Sequence, residues 1–513
     1  MDPIKARQRL GFLTQRILAL PEALRPRCMA ECKQYCSPEQ FSELKQLLRE
    51  QQESAELFNN EDYLPLGNAQ RIFWSIELTS GYSKHEITST FLYGKLNLEK
   101  LQQVLDYVLK QFDIFSFHVS QWLPYAHRLP QKNTEIHIIE LDSSKPQEQQ
   151  LDEINHKLEH LDLRKLKQNV YPCLVKISDN EALLHLVITH KCIDAKTKSL
   201  IWEIIKERYH DDAAKEFLPY RDYLLNERRY FTHLAPFLQQ HVATSYTSFS
   251  PCQIRTDIID LKTSVKKRIL YELNPQQVSS LKAFAQKYEF TLDELIISAT
   301  LKAFKSFCVN QDFLIQLISQ PYYYPQYNQT VGPCLNERAF ALRCTQDDLM
   351  AITKGVSQNN RDSLNYSNLP YGAGLGWLFF NKYPFSASLI SGIIRGLTCM
   401  SKYTRLSKAT ADCYAGLICY EFFANQKKDF PLLSFNFRHA ITLKKNKDVE
   451  NTEALTFKPY FYPLYHNPQN FVSINIDSTE DEGLIIHLET YFRKEVDQEI
   501  MEHIIRNLNG FSV

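Results

Sequence analysis

The stretch EALLHLVITHKCIDAKTKSLIWEII, residues 181–205, decides how the chain is read. Leu183 to Ile188 is an apolar run, interrupted only by His185, with the length and composition of a buried strand. It gives way to His190-Lys191-Cys192-Ile193-Asp194. Leu200, Ile201, Ile204 and Ile205 then repeat at helical spacing. A strand ending in a tight connection is a rigid mount for the side chains at its end. Alternation along the strand places His190 on the face of Leu184, Leu186 and Ile188. Imidazole is the side chain best suited to move a proton near neutral pH. Asp194 can turn back into the same connection, to orient the ring or to hold the loop through a buried basic partner. A histidine and an aspartate at this spacing arise by chance roughly once in a chain of this length. The plain reading is a strand-end histidine followed by a helix-capping aspartate.

The composition narrows the field. At 513 residues the chain exceeds one ordinary core and calls for several domains or two large lobes. Apolar residues at 44% and charged residues at 23% are typical of soluble globular proteins. Net charge is +0 and no long basic block occurs, so nucleic acid is not an expected partner. Glycine is scarce at 14 residues and no phosphate-cradling loop is present. The 12 cysteines form no paired framework and no secretory signal opens the chain, so reduced thiols and a cytoplasmic location are expected. Cys28, Cys32 and Cys36 share one helical face, which reads as packing because no histidine or CxxC pair completes a tetrahedral metal set. The longest apolar stretch, Gly372 to Met400, is interrupted by Asn381-Lys382 and Arg395. It therefore reads as a buried hairpin or an apolar lid, with peripheral membrane contact left open.

Along the chain, residues 1–58 read as helices, one striped by Leu10, Leu13, Ile17 and Leu20 and the next starting at Ser37-Pro38. From Tyr63 strands and helices mix. Strands are expected at Ile87–Tyr93, Phe115–Val119, Glu135–Leu141 and Val170–Ser178, with a helix at Leu98–Phe112. Residues 230–263 lack periodicity and read as a connection. A second half follows, with a strand at Lys267–Leu273, helices at 274–288 and 291–307, and a strand at Phe313–Ser319. Thr291 or Asp293 is the expected cap of the second of these helices. A hairpin of Phe471–Asp477 and Leu484–Tyr491 and a closing helix at Val496–Leu508 end the pattern. The fold class is α/β (α+β), two sheets with helices laid on them.

Several segments, taken in order, resemble the condensation-domain superfamily of nonribosomal peptide synthetases, within the chloramphenicol-acetyltransferase-like fold. Leu64-Pro65-Leu66-Gly67-Asn68-Ala69-Gln70 is similar to that family's LPLSxAQ. Gly94 to Leu101 is similar to its glycine–leucine step into the first long helix. Thr189 to Ala195 lies where the family has HHxxxDG, and Tyr220-Arg221-Asp222-Tyr223 matches YxDY. Thr330-Val331-Gly332-Pro333-Cys334-Leu335-Asn336 resembles TVGxFxN, and Ser434-Phe435-Asn436-Phe437 resembles SFNY. The resemblance implies a helical extension at 1–60, a first lobe at 61–235 and a second at 236–513, set in a V around a tunnel. It makes His190 the catalytic histidine and Asp194 its structural aspartate. Tyr220, Asp222 and Gly332 become motif residues of the lobe junction, and Asn436 a candidate for stabilising charge on a carbonyl oxygen.

The departures are specific. Thr189 replaces the first histidine, Ala195 replaces glycine, and Ser116 stands at the arginine of the segment RHExLRT. Ala341 stands where an arginine often follows TVG, with Arg338 and Arg343 nearby. Losing the Ser116-position arginine removes the expected partner of Asp194, and Arg338 is the first candidate to replace it. Heterocyclisation domains carry aspartates in the central motif, epimerisation domains need an acid where this chain has Gln320–Pro325, and plant-type acyltransferases carry DFGWG; none of these fits.

The implied function is a stand-alone acyltransferase. It would move an acyl or aminoacyl group from a phosphopantetheine or coenzyme A thioester to a small-molecule amine or alcohol. The thioester is a co-substrate delivered by an acyl- or peptidyl-carrier protein or as acyl-CoA, and no permanently bound cofactor is implied. The alternative is a catalytically degenerate member that binds a carrier protein or an acyl ligand.

Overall fold

The computed structural model describes residues 24–58, 62–67, 85–120, 125–129, 134–210, 217–227, 255–258, 267–309, 311–319, 329–364, 432–443, 455–460, 472–479 and 481–511. Isolated positions, among them Leu10, Ile17, Gln70, Phe73 and Glu77, are described as well. The apolar stretch Gly372 to Met400 and residues 320–325 lie outside these residues. None of the described helices is long and apolar enough to cross a membrane.

Helices α1 (Arg25–Tyr35) and α2 (Pro38–Phe58) begin the described chain. Ser37 and Gln40 exchange side-chain and backbone hydrogen bonds at 3.3 and 3.0 Å, a capping box that starts α2 where the sequence expects it. Cys32 packs with Leu10, Ile17, Leu44 and Leu47. Burial, and then neighbouring Cys28, pushes its thiol up to about 11.

The first half comprises β1 (Tyr63–Pro65), β2 (His85–Tyr93), α3 (Leu98–Gln111), β3 (Phe117–Val119), β4 (Tyr125–Arg128), β5 (His137–Glu140), α4 (Gln147–Glu159), β6 (Val170–Ser178), β7 (Glu181–Thr189) and α5 (Ala195–His210). The short strands β1, β4 and β3 form a sheet of their own. The main sheet has β7 at its centre, antiparallel to β2 on one side and β6 on the other. A central strand covered on both faces favours apolar side chains on both, which explains the run, and its polar member, buried His185, stands with Nδ1 2.8 Å from Ser89 Oγ. Leu183 and Val187 pack under α4 with Ile154 and Leu158. Leu184, Leu186 and Ile188 pack under α3 and α5 with Leu101, Leu105, Ile201 and Ile205.

The second half contains β8 (Lys267–Leu273), α6 (Pro275–Lys287), α7 (Leu292–Phe304), β9 (Asp312–Ser319), β10 (Asn336–Arg343), α8 (Leu349–Leu364), β11 (Leu432–Leu443), β13 (Val472–Thr479), β14 (Leu484–Thr490) and α9 (Lys494–Asn509). Its sheet runs in the order β10-β9-β11-β13-β14-β8. Capping boxes start α6 at Asn274 and α7 at Thr291, which decides between the two caps expected for α7. One sheet face, with Ile315, Phe435, Ile474 and Ile486, buries against these helices. The alternate residues Ser434, Asn436 and Arg438 share the other face with Ser473, Asn475 and Asp477. There Asp477 accepts from Arg438 at 2.6 Å and stands 2.7 Å from His487. Burial alone would raise its carboxyl pKa, but Arg438 and His487 hold it below the ordinary carboxylate range.

The two halves interpenetrate. Strand β12 (Thr456–Tyr460) comes from the range expected to form the second lobe, yet it pairs antiparallel with β2 at the edge of the first sheet. Leu455 beside it is buried in the first core. The segment is short and holds Pro459, which a strand tolerates at an edge. Its pattern is too brief to announce it in the sequence.

A second seam joins residues 218–220 to 329–332. Leu218 N donates to Gln329 O at 2.8 Å, and the ring of buried Tyr220 lies against Gly332. Gly332 has φ +151, and a Cβ there would fall inside the Tyr220 ring. Gly332→Ala is therefore expected to destabilise the protein by about 2–3 kcal/mol through overpacking and backbone strain. A lowered denaturation midpoint checks this, and an unchanged midpoint would show that the seam relaxes freely.

Candidate active site

β7 ends at Thr189, and residues 190–192 make a single tight turn before α5. His190 is fixed on three sides in this turn. Its Nδ1 lies 3.0 Å from the backbone carbonyl of Ile193, which can only accept, so Nδ1 carries a proton. Its ring stacks on Phe73 with centroids 3.7 Å apart and planes 18° from parallel. Its Nε2 lies 3.2 Å from Oε1 of Glu86, whose Oε2 accepts from Lys198 Nζ at 2.7 Å. The His190 side chain is 16% exposed and that of Glu86 5%. Glu86 stands opposite Ile188 in the β2–β7 ladder, on the face that His190 continues.

Every other side chain of the turn is tied down separately. Lys191 points inward to an ion pair with Glu77, both buried. Its carbonyl accepts from Gln70 Nε2 at 2.9 Å, while Gln70 Oε1 accepts from Gly67 N at 3.0 Å. Gly67 and Gln70 thus brace the turn. Gly67 must lack a side chain because Leu224, Glu227 and Tyr220 crowd its Cα. The Cys192 thiol is pushed up to about 12 by burial and is chemically inert.

Asp194 does not touch His190. Its Oδ1 accepts from Thr197 N at 2.7 Å, which makes it the cap of α5. Its Oδ2 accepts from Cys334 N in the second half at 3.0 Å. Thr197 extends the tie, its Oγ1 donating to Gly332 O at 2.8 Å and accepting from Gly332 N at 3.1 Å. Burial raises the Asp194 carboxyl, opposed by these amides and by Lys196. The expected pairing with Arg338 is corrected: backbone amides take the place of an arginine, and Arg338 stands on β10 opposite Leu317. Arg343 is committed to Asp312 at 2.7 Å.

Tyr220 and Gly332 meet at the seam, whereas Asp222 is exposed. Its carboxylate makes no hydrogen bond or ion pair among the described residues. The carboxylate of that junction is Asp113, which accepts from Tyr220 N at 2.9 Å and Arg221 N at 3.1 Å. Asn436 is partly buried on β11, between Ile318 and Asn475, and β11 packs against α5. The sequence reading missed Glu86, Lys198, Glu77 and Asp113. The signal for Glu86 was an acid in a strand otherwise bound for burial, but only the ladder register places it beside His190.

Thr189 and Ala195 have local explanations. Thr189 is buried at 4% exposure, and alternation turns its side chain to the sheet face opposite His190. Ala195 begins α5 without a positive φ, so this turn does not require a glycine. Among the described residues, His156, Glu159 and His160 on α4 bring candidate metal ligands within 4.8 Å of one another. His156 and His160 are exposed.

A family model described as the condensation domain matches residues 60–373. The EpoB NRPS cyclization-docking bidomain from Sorangium cellulosum is similar in structure, with TM-score 0.66 and 14% identity over 90% of this chain and 85% of that one. The epimerization domain from the third module of tyrocidine synthetase B is similar with TM-score 0.63 and 14% identity, over 88% of this chain and 96% of that one. The condensation domain of the Monacolin K polyketide synthase MokA gives 0.62 and 12%, over 88% and 97%. No curated protein matches the chain. Identities this low establish a shared fold, the chloramphenicol-acetyltransferase-like pair of lobes. Because the family model spans more than half of its length, this chain belongs to the condensation-domain family.

Proposed function

We propose that the protein is a condensation-type acyltransferase, moving an acyl or aminoacyl group from a thioester to an amine or hydroxyl. The observation that carries this reading is His190 itself: a ring rigidly aimed by strand, carbonyl and Phe73, and partly exposed within a buried turn. With Nδ1 committed to the Ile193 carbonyl, Nε2 is the nitrogen that exchanges a proton with the nucleophile. Asn436 and the amides of the turn are the candidates for stabilising charge on the thioester carbonyl oxygen. A carrier protein or coenzyme A supplies the thioester through its phosphopantetheine arm, which is a co-substrate, and the cytoplasm is the matching compartment.

The competing reading, a member that binds a carrier protein or acyl ligand without turnover, rests on Thr189, Ala195 and Ser116. It is weakened because the first two substitutions fall where the turn needs neither a second imidazole nor a glycine. Arg338 has no place in either reading as a partner of Asp194.

Transfer from acyl- and aminoacyl-thioesters to amine and alcohol acceptors tests the proposal. His190→Ala is expected to lower turnover by roughly 10²–10⁴-fold with folding intact. Robust activity unchanged by this substitution would remove His190 from the chemistry. Asp194→Ala should behave differently, leaving the Thr197 and Cys334 amides without their acceptor. A loss of about 2–4 kcal/mol in unfolding free energy is expected, read by chemical denaturation. A variant as stable as wild type would mean that the cap is dispensable.

A further inference from the structure

We infer that Glu86 is a positioning residue for His190, one that sets the charge of the ring and so governs when Nε2 can act. The inference takes the role of His190 from the acyl-transfer reading, but its evidence is the geometry of the pair.

Nδ1 already donates to the Ile193 carbonyl, so a neutral ring would present a bare lone pair at Nε2. Nε2 faces the Glu86 carboxyl oxygen at 3.2 Å. An ionised carboxylate this close to the ring favours its protonated, charged form over the neutral one. Lys198 decides which atom holds the proton. Its ammonium sits 2.7 Å from the other oxygen of Glu86, favouring the carboxylate and leaving the proton on the ring. The resting site is then an imidazolium–carboxylate–ammonium row, shielded from water at its centre.

The remaining neighbours do not compete for that role. Phe73 presents an uncharged ring face. Lys191 is turned away into its pair with Glu77, and the Asp194 oxygens are occupied by the Thr197 and Cys334 amides. Among the described residues, the charges beside His190 are Glu86 from β2 and, behind it, Lys198 from α5.

The consequence for the reaction is a proton that must leave first. Once water has removed it, Nε2 is free to take the N–H or O–H proton of the acceptor as the acceptor atom bonds to the thioester carbon. That proton then passes to the departing sulfur as the C–S bond breaks, which leaves a thiol. Between the two transfers the ring is again an imidazolium and Glu86 again balances its charge. Glu86 touches no atom of either substrate in this scheme and acts only through His190.

Histidine ring ¹⁵N shifts of the full chain, with the His190 signals identified by their loss in His190→Ala, test the inference without any turnover. Both ring nitrogens are expected to be protonated at pH 7 in the wild type, and only one in Glu86→Gln. A wild-type ring with a bare Nε2 at pH 7, or a ring whose charge is the same in Glu86→Gln, would overturn it. The wild-type spectrum decides the first point even if the variant fails to fold. With an active thioester pair, the rising limb of kcat/KM against pH should lie roughly one pH unit or more lower in Glu86→Gln. A purely structural Glu86 would lower the rate and leave the limb in place. A protein that turns over no thioester, yet shows the doubly protonated ring, would overturn the acyl-transfer reading and keep this one.

Discussion

The carboxylate of Asp194 holds the centre of this protein together, with one oxygen on the first turn of α5 and the other on a backbone amide of the second half. Both donors are buried, and a buried N–H without an acceptor costs about as much as a lost hydrogen bond. The geometry of the turn therefore depends on the docking of residues 330–334. Thr197 repeats the logic through its pair of hydrogen bonds to Gly332, and Gly332 can approach only because it has no side chain. The start of α5, the 190–194 turn and the second half form one cooperative unit.

Within that unit the turn divides its labour. Lys191, Cys192 and Asp194 face inward and are spent on anchoring, while His190 keeps part of its ring exposed. Anchoring each neighbour separately is what gives one imidazole a fixed direction, because a side chain on an unbraced loop would sample several rotamers. The brace reaches back to Gly67 and Gln70 at the start of the fold, which explains why an entry segment remote in sequence belongs to the site.

The second half shows the same economy of buried charge. The polar face of β11 and β13 is stabilised by Arg438, Asp477 and His487 in contact, and Arg268 and Glu489 pair on neighbouring strands at 2.7 Å. These buried charges have partners, as low dielectric demands. The alternation in Ser434-Phe435-Asn436-Phe437 is the trace of this arrangement, with apolar residues turned to the helices and polar ones to the opposite face.

Much of this was legible in the chain alone. The apolar Leu183–Ile188 run, the helical spacing after Asp194 and the order of short motifs were enough for a central strand, its turn and the family. Local patterns carry that information because burial and periodicity act within an element. The capping role of Asp194 was one of two readings open in the sequence, and the identity of its second donor was not readable at all. Nor were Glu86 beside His190, Glu77 beneath Lys191, or β12 crossing into the first sheet. These depend on strand register and on segments hundreds of positions apart, where one residue of slip would turn every side chain to the other face. Sequence determined which residues could do chemistry; only the tertiary structure decided which charges stand beside them, because electrostatic partnership is set by distance in space.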